Sequence, residues 1–146
     1  FTEVAKRECR RQADEAVATI DMSAPPRAVL SAAANHMVRF LLSEFGVRVY
    51  RICVAESDRF PELGCEFYES GPAIVRETIV DYLRHAVERG ELRIEDFGLA
   101  ADQFAELCKS DLFARLIFGM QTRFTEEEIA RVIDGAVETF LARYGT

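Results

Sequence analysis

Apolar residues recur at helical spacing along almost the whole chain. Phe1, Val4, Ala5, Ala13, Ala16, Val17 and Ile20 mark one face of a first helix running from Phe1 to about Ile20. Pro25-Pro26 ends that pattern, and Pro26 suits the first turn of a second helix, where its missing N–H is not needed. The second helix carries Val29, Leu30, Ala33, Met37, Phe40, Leu41 and Phe45. Ala28, Ala32, Ala34, Val38 and Leu42 widen its apolar surface, which predicts burial on most sides. Gly46 is placed to cap its C-terminal end. Residues 47–57 (VRVYRICVAES) alternate like a strand over their first half, but no other segment reads as β. A lone strand has no partner, so a short helix is the better reading.

Pro61 opens a long fourth helix that reaches about Arg89, with Leu63, Phe67, Ile74, Val75, Ile79, Tyr82, Leu83 and Ala86 in period. Gly71-Pro72 interrupts it and predicts a kink or short break, since proline removes an i→i−4 bond. Gly90 ends that helix. A fifth helix runs from near Gly98 to Phe118-Gly119-Met120, carrying Leu99, Ala100, Phe104, Leu107, Cys108, Leu112 and Leu116. Thr125-Glu126-Glu127-Glu128 is a capping box, followed by the stripe Ile129, Val132, Ile133, Ala136, Val137, Phe140, Leu141 and Tyr144. The pattern predicts an all-α fold, a six-helix bundle, with residues 1–146 forming a single domain.

Composition narrows the function. With 146 residues and 49% hydrophobic content, the chain can bury a core without staples. Eighteen Lys+Arg against 25 Asp+Glu give a net charge of −7, which suits nucleic-acid binding poorly because phosphates are held by cations. Lys6, Arg7, Arg10 and Arg11 form a local basic cluster that is better explained as a solvated helix face. Cys9, Cys53, Cys65 and Cys108 lack metal-ligand spacing and read as buried thiols of a cytoplasmic protein. No apolar run reaches the roughly 18 residues of a membrane span. No Gly-rich phosphate loop, nucleophile elbow or Glu-x-x-His pair is present, so no catalytic residue, metal ligand or cofactor is assigned and the chain reads as a non-enzyme. The first helix starts with no capping residue ahead of Phe1, which predicts missing upstream sequence.

The stretch Arg51-Ile52-Cys53-Val54-Ala55-Glu56-Ser57-Asp58-Arg59-Phe60-Pro61-Glu62-Leu63 resembles a motif of tetracycline-repressor-like (TetR/AcrR) regulators. Phe67-Tyr68-Glu69-Ser70-Gly71-Pro72, then Arg89-Gly90-Glu91-Leu92 and Ala100-Ala101, are similar to the C-terminal domain of the family's AefR-like branch. Phe1-Thr2-Glu3-Val4 resembles the point where the family's helix-turn-helix domain gives way to its fourth helix. The resemblance implies an effector-binding, homodimerising domain of a transcriptional repressor. DNA would be bound only through an N-terminal helix-turn-helix domain absent from this chain, and the last two helices of each subunit would pair.

Apolar surplus on those last two helices also suggests a two-fold contact, with Leu112, Phe113, Leu116, Ile129, Val132, Ala136 and Phe140 placed in the dimer interface. The same residues could instead be plain core. Met37, Phe40, Leu41, Phe67, Tyr68, Ile74, Thr78, Phe104 and Cys108 are candidates to line a pocket for a small, largely apolar effector, with Gly71-Pro72 beside it. His36 is either an inward polar anchor or a satisfied core histidine. The alternative function is a helical homodimerisation module with no small-molecule ligand. A third class is an all-helical enzyme without a familiar motif. An upstream basic helix-turn-helix of roughly 50 residues would separate the first from the others.

Overall fold

A computed structural model of the chain describes residues 2–146. Phe1, where the apolar pattern begins, lies outside the described residues. Thr2 opens α1 (Glu3–Ala18), its hydroxyl accepting from the Ala5 N–H at 3.1 Å. The first helix therefore does possess a cap, one residue inside the chain, and the uncapped start inferred from the sequence is corrected. Pro26 stands at the first position of α2 (Pro26–Leu42).

Ser43 then closes one helix and opens the next. Its hydroxyl donates to the Phe40 carbonyl at 2.6 Å and accepts from the Gly46 N–H at 3.0 Å. This makes Gly46 a first-turn residue of α3 (Glu44–Ala55), not the C-terminal cap of α2. The corner is so tight that a Cβ on Gly46 would collide with the Phe40 carbonyl oxygen. Residues 47–55 are helical, as the lack of a partner strand predicts, because β-branched residues form a helix where tertiary packing holds them.

Eight helices, not six, form among the described residues. The long fourth helix is divided at Gly71-Pro72 into α4 (Glu62–Ser70) and α5 (Pro72–Glu88). A Cβ at Gly71 would lie 2.9 Å from the Cys9 carbonyl oxygen, so α1 crosses directly against this junction. The fifth predicted helix is likewise two, α6 (Phe97–Leu107) and α7 (Leu112–Ile117). Here the Ser110 hydroxyl donates back to the Leu107 carbonyl at 2.6 Å, and Asp111 turns the chain at φ 63°, a region Asp tolerates better than most residues. The capping box of α8 (Glu126–Tyr144) forms as its sequence predicts, with reciprocal bonds between Thr125 and Glu128 of 3.1 and 3.0 Å.

Tyr82, Phe104, Phe140, Leu30, Leu83, Val38 and Val137 form the centre of the core, with less than 2% exposure. Each such side chain contributes on the order of 1.5–3 kcal/mol by leaving water. The Phe104 and Phe140 rings meet edge to face at 5.4 Å, and the Tyr82 hydroxyl donates to the Ala24 carbonyl. Arg39–Glu126 (2.7 Å) and Arg27–Glu138 join α2 to α8 at the surface. The Arg51 guanidinium donates to the Leu116 and Ile117 carbonyls at 3.1 Å each and so covers the C-terminal end of α7. An antiparallel bridge between Leu92 and Gly145, with Arg93 N–H donating to the Tyr144 carbonyl at 2.8 Å, holds the end of α8.

Candidate effector cavity

Six helices leave a space between them that the core does not fill. The cavity has a volume of about 390 Å³, within the range of small-molecule sites. Cys9, Gln12, Ala13 and Ala16 of α1 form one wall, and His36, Met37, Phe40 and Leu41 of α2 a second. Phe67 and Tyr68 of α4 and Gly71, Pro72, Val75, Arg76 and Ile79 at and beyond the helix break form a third. Ala101, Asp102, Ala105, Glu106 and Lys109, on α6 and just past its end, supply a fourth, and Gly46 and Tyr50 of α3 complete the lining.

The sequence-predicted residues divide unevenly across this geometry. Met37, Phe40, Leu41, Phe67 and Tyr68 line the cavity, as does His36. Ile74 and Thr78 do not. Positions 72, 75, 76 and 79 of α5 face the space, and the Thr78 hydroxyl instead donates to the Ile74 carbonyl at 3.0 Å. Phe104 and Cys108 are also corrected: at 0% and 3% exposure they lie in the core, and the small residues Ala101 and Ala105 face the cavity in their place. The α1 wall was missed. Its signal was the spacing of Cys9, Ala13 and Ala16, small buried residues at helical period whose size leaves room for something else.

The seven proposed interface residues also move. Leu112, Phe113, Leu116, Ile129, Val132, Ala136 and Phe140 are all buried within the single chain, each at 9% exposure or less. A side chain already largely covered by its own subunit has little surface left to offer a second one. Tyr50 packs edge to face on Phe113 at 5.0 Å, and α2 lies across α7 and α8, consuming the apolar surplus read from the sequence. The large apolar side chains still exposed on this side are Phe118 and Met120.

Residues 28–146 match the model of the C-terminal domain of AefR-like transcriptional repressors. The chain belongs to that family. No curated protein matches its sequence. Among solved structures, a TetR-family transcriptional regulator from Mesorhizobium loti MAFF303099 shares the fold with a TM-score of 0.87 at 24% identity, covering 99% of this chain and 73% of its own. The flavonoid-responsive regulator FrrA aligns with a TM-score of 0.76 at 25% identity over 96% of this chain and 72% of its own. A TetR-family regulator from Pseudomonas syringae pv. tomato str. DC3000 gives 0.69 at 23% identity, with 96% and 72% covered.

In this AefR-like domain many of the charged residues are arranged as surface pairs. Lys6, Arg10 and Arg11 of the basic cluster on α1 are matched by Glu3, Asp14, Glu8 and Glu15, and hydrogen bonds from Arg11 and Gln12 pull the Glu8 carboxyl down to about 2. Among the described residues no group of His, Cys, Asp and Glu is placed to hold a metal ion, and no helix is long and apolar enough to cross a membrane.

The four thiols are free, but they are not all buried. Cys9 and Cys108 are buried, Cys53 is half-buried and Cys65 is exposed. Burial pushes the Cys108 thiol up to about 12, which removes its reactive thiolate at neutral pH. A thiol-specific reagent on the native domain should therefore modify Cys65 first and Cys108 only on unfolding. Peptide mapping that finds Cys108 labelled as fast as Cys65 would contradict this packing.

Partial burial depresses the His36 pKa below its usual 6.5, against a smaller opposing pull from the Glu15 carboxylate. The folded domain thus prefers the neutral ring, and unfolding takes up protons as the pH drops below 6.5. Stability conferred by the neutral ring is complete above that value and is lost as pH falls through the folded pKa. The Tm should fall between pH 7.5 and 5.5, and His36→Phe should flatten that slope. Glu126, Glu128 and Glu138, held below their usual 4.5 by their hydrogen-bond partners, stay ionised across the window. An unchanged slope in the variant would show that the His36 environment is not as described.

Proposed function

We propose that this domain is the effector-binding and dimerising part of a TetR-like transcriptional repressor. In this reading a small, largely apolar molecule occupies the cavity and releases the protein from DNA. DNA is held by a helix-turn-helix domain N-terminal to α1, the protein acts in the cytoplasm as a homodimer, and it uses no cofactor. The observation that carries the reading is that α1 forms a wall of the cavity. A ligand seated against Gln12, Ala13 and Ala16 differs in its contacts between two positions of α1, and only such differential contact can shift a two-state equilibrium. Movement of α1 then re-spaces the paired DNA-binding domains. The flavonoid response of FrrA, a protein of the same fold, makes a flat polyphenol a rational first ligand.

Dimerisation in this reading uses the connection between α7 and α8, where Phe118 and Met120 are 77% and 68% exposed. Isologous contact would bury both side chains twice over. Sedimentation of the domain should give twice the chain mass, and Phe118→Glu with Met120→Glu should return it to one.

The functional test uses the full-length protein on its own promoter DNA. Apigenin should release the DNA at concentrations that saturate the isolated domain. Retention of DNA by a saturated protein would defeat the repressor mechanism. A stable dimer that binds neither apigenin nor other flat aromatics would favour a pure dimerisation module.

A further inference from the structure

The charges around the cavity cancel. Arg76 grips Asp102 through two bonds, Nε to Oδ1 at 2.7 Å and Nη2 to Oδ2 at 3.1 Å. Lys109 Nζ donates to the Glu106 carboxylate at 3.0 Å. All four residues line the cavity, and each cation is matched by an anion, Arg76 of α5 by Asp102 of α6 and Lys109 by Glu106 on the α6 wall. A charged ligand entering here would find no unpaired counter-charge and would leave much of its hydration behind, which is unfavourable for an ion in apolar surroundings.

Among the neutral polar groups on the wall, the Tyr50 and Tyr68 hydroxyls stand without a hydrogen bond among the described residues, but on side chains 39% and 45% exposed, so His36 is the unpartnered group most withdrawn from solvent. Gln12 is engaged, donating to the Glu8 carboxylate at 3.1 Å. His36 makes no hydrogen bond among the described residues, and its Nε2 stands 4.0 Å from a Glu15 carboxylate oxygen, beyond hydrogen-bond reach. Its side chain is 21% exposed and sits on α2 beside Met37 and within one helical turn of Phe40. A neutral imidazole has one donor and one acceptor nitrogen, so it can pair with a hydroxyl in either sense. Phe40, Phe67 and Tyr68 add aromatic faces, which suit a flat ring.

From this arrangement we infer the ligand class: an uncharged aromatic compound bearing a hydroxyl group, recognised by a hydrogen bond to His36. The inference rests on the cavity being an effector site. It narrows the class by excluding carboxylates and organic cations, and it assigns His36 the discriminating role. Partial burial keeps the imidazole neutral at pH 7 and so supports the same pairing.

Three probes of one shape test it on the purified domain: biphenyl, 4-hydroxybiphenyl and biphenyl-4-carboxylate. On the wild type, 4-hydroxybiphenyl should bind about 3- to 10-fold more tightly than biphenyl, the worth of one net hydrogen bond. The carboxylate should bind at least about tenfold more weakly than the hydroxyl compound. His36→Phe should bring the hydroxyl-to-biphenyl ratio close to one while biphenyl itself still binds, and His36→Gln should keep the preference. Tightest binding by the carboxylate, or a hydroxyl preference that survives in His36→Phe, overturns the inference and leaves the effector site standing. Failure of all three probes to bind the wild type overturns both. Should His36→Phe not fold, the wild-type comparison of hydroxyl and carboxylate decides alone.

Discussion

Phe104→Ala is expected to cost about 3–5 kcal/mol of folding stability, the usual penalty for emptying an aromatic site in a packed core. Phe104 is fully buried, and its ring stands edge to face with Phe140, which in turn touches Tyr144 at 4.8 Å. The variant would leave a hole between α6 and α8, where α5 packs on α6 and α2 on α8, so neighbouring side chains relax little. In a domain of this size the loss corresponds to a fall in Tm of roughly 10 °C or more. Urea unfolding measures it directly, with an unchanged slope indicating that the cooperative unit is intact. A loss below about 1 kcal/mol would mean that Phe104 faces open space, as the sequence pattern alone suggests.

Gly46→Ala should also be harmful, although it adds one methyl group to a helix. Ala is normally the better helix former by about 1 kcal/mol. At this position the new Cβ would collide with the Phe40 carbonyl oxygen, a backbone atom that cannot rotate away. Phe40 and Phe45 pack edge to face at 6.2 Å across the same corner, so forcing it open disturbs both the core and the cavity wall. Destabilisation of about 1–3 kcal/mol is expected, typical of overpacking. Gly135→Ala is the control, since a Cβ there meets nothing within 4 Å. It should be neutral or slightly stabilising, and equal effects at the two glycines would refute the tight corner.

These two positions show where sequence reasoning succeeds and where it stops. Helix existence was legible because caps and breakers act locally: the Thr125–Glu128 box, Pro26 at a first turn and the break at Gly71-Pro72 each follow from a few adjacent residues. Gly46 was misplaced because its role depends on Phe40, a residue of the preceding helix, across a junction of one shared cap. The faces of α5 and α6 were misassigned for a related reason. Both helices are apolar over a wide arc, so periodicity gives their existence without fixing their rotation, and Ile74, Thr78, Phe104 and Cys108 were directed into a cavity that Val75, Ile79, Ala101 and Ala105 line.

The interface residues failed on a question of supply. The apolar count on α7 and α8 exceeded what a two-layer arrangement would bury, but α2 crosses both helices and α3 adds Tyr50 against Phe113. A sequence shows how much apolar surface needs cover and leaves open which elements cover it. The same limit hid the α1 wall. Small residues such as Ala13 and Ala16 signal close packing or space for a guest equally well until the neighbouring helices are placed.

Calorimetric titration of the isolated domain with apigenin, wild type beside Ala105→Phe, tests the central claim most directly. Ala105 lies on the cavity wall, half-buried, and a phenyl group there would occupy the space without breaking a hydrogen-bonded group. The wild type should bind one molecule per chain, and the variant should bind it at least about tenfold more weakly while unfolding at a similar temperature. Equal affinity in the two proteins would place any bound ligand elsewhere and contradict the account.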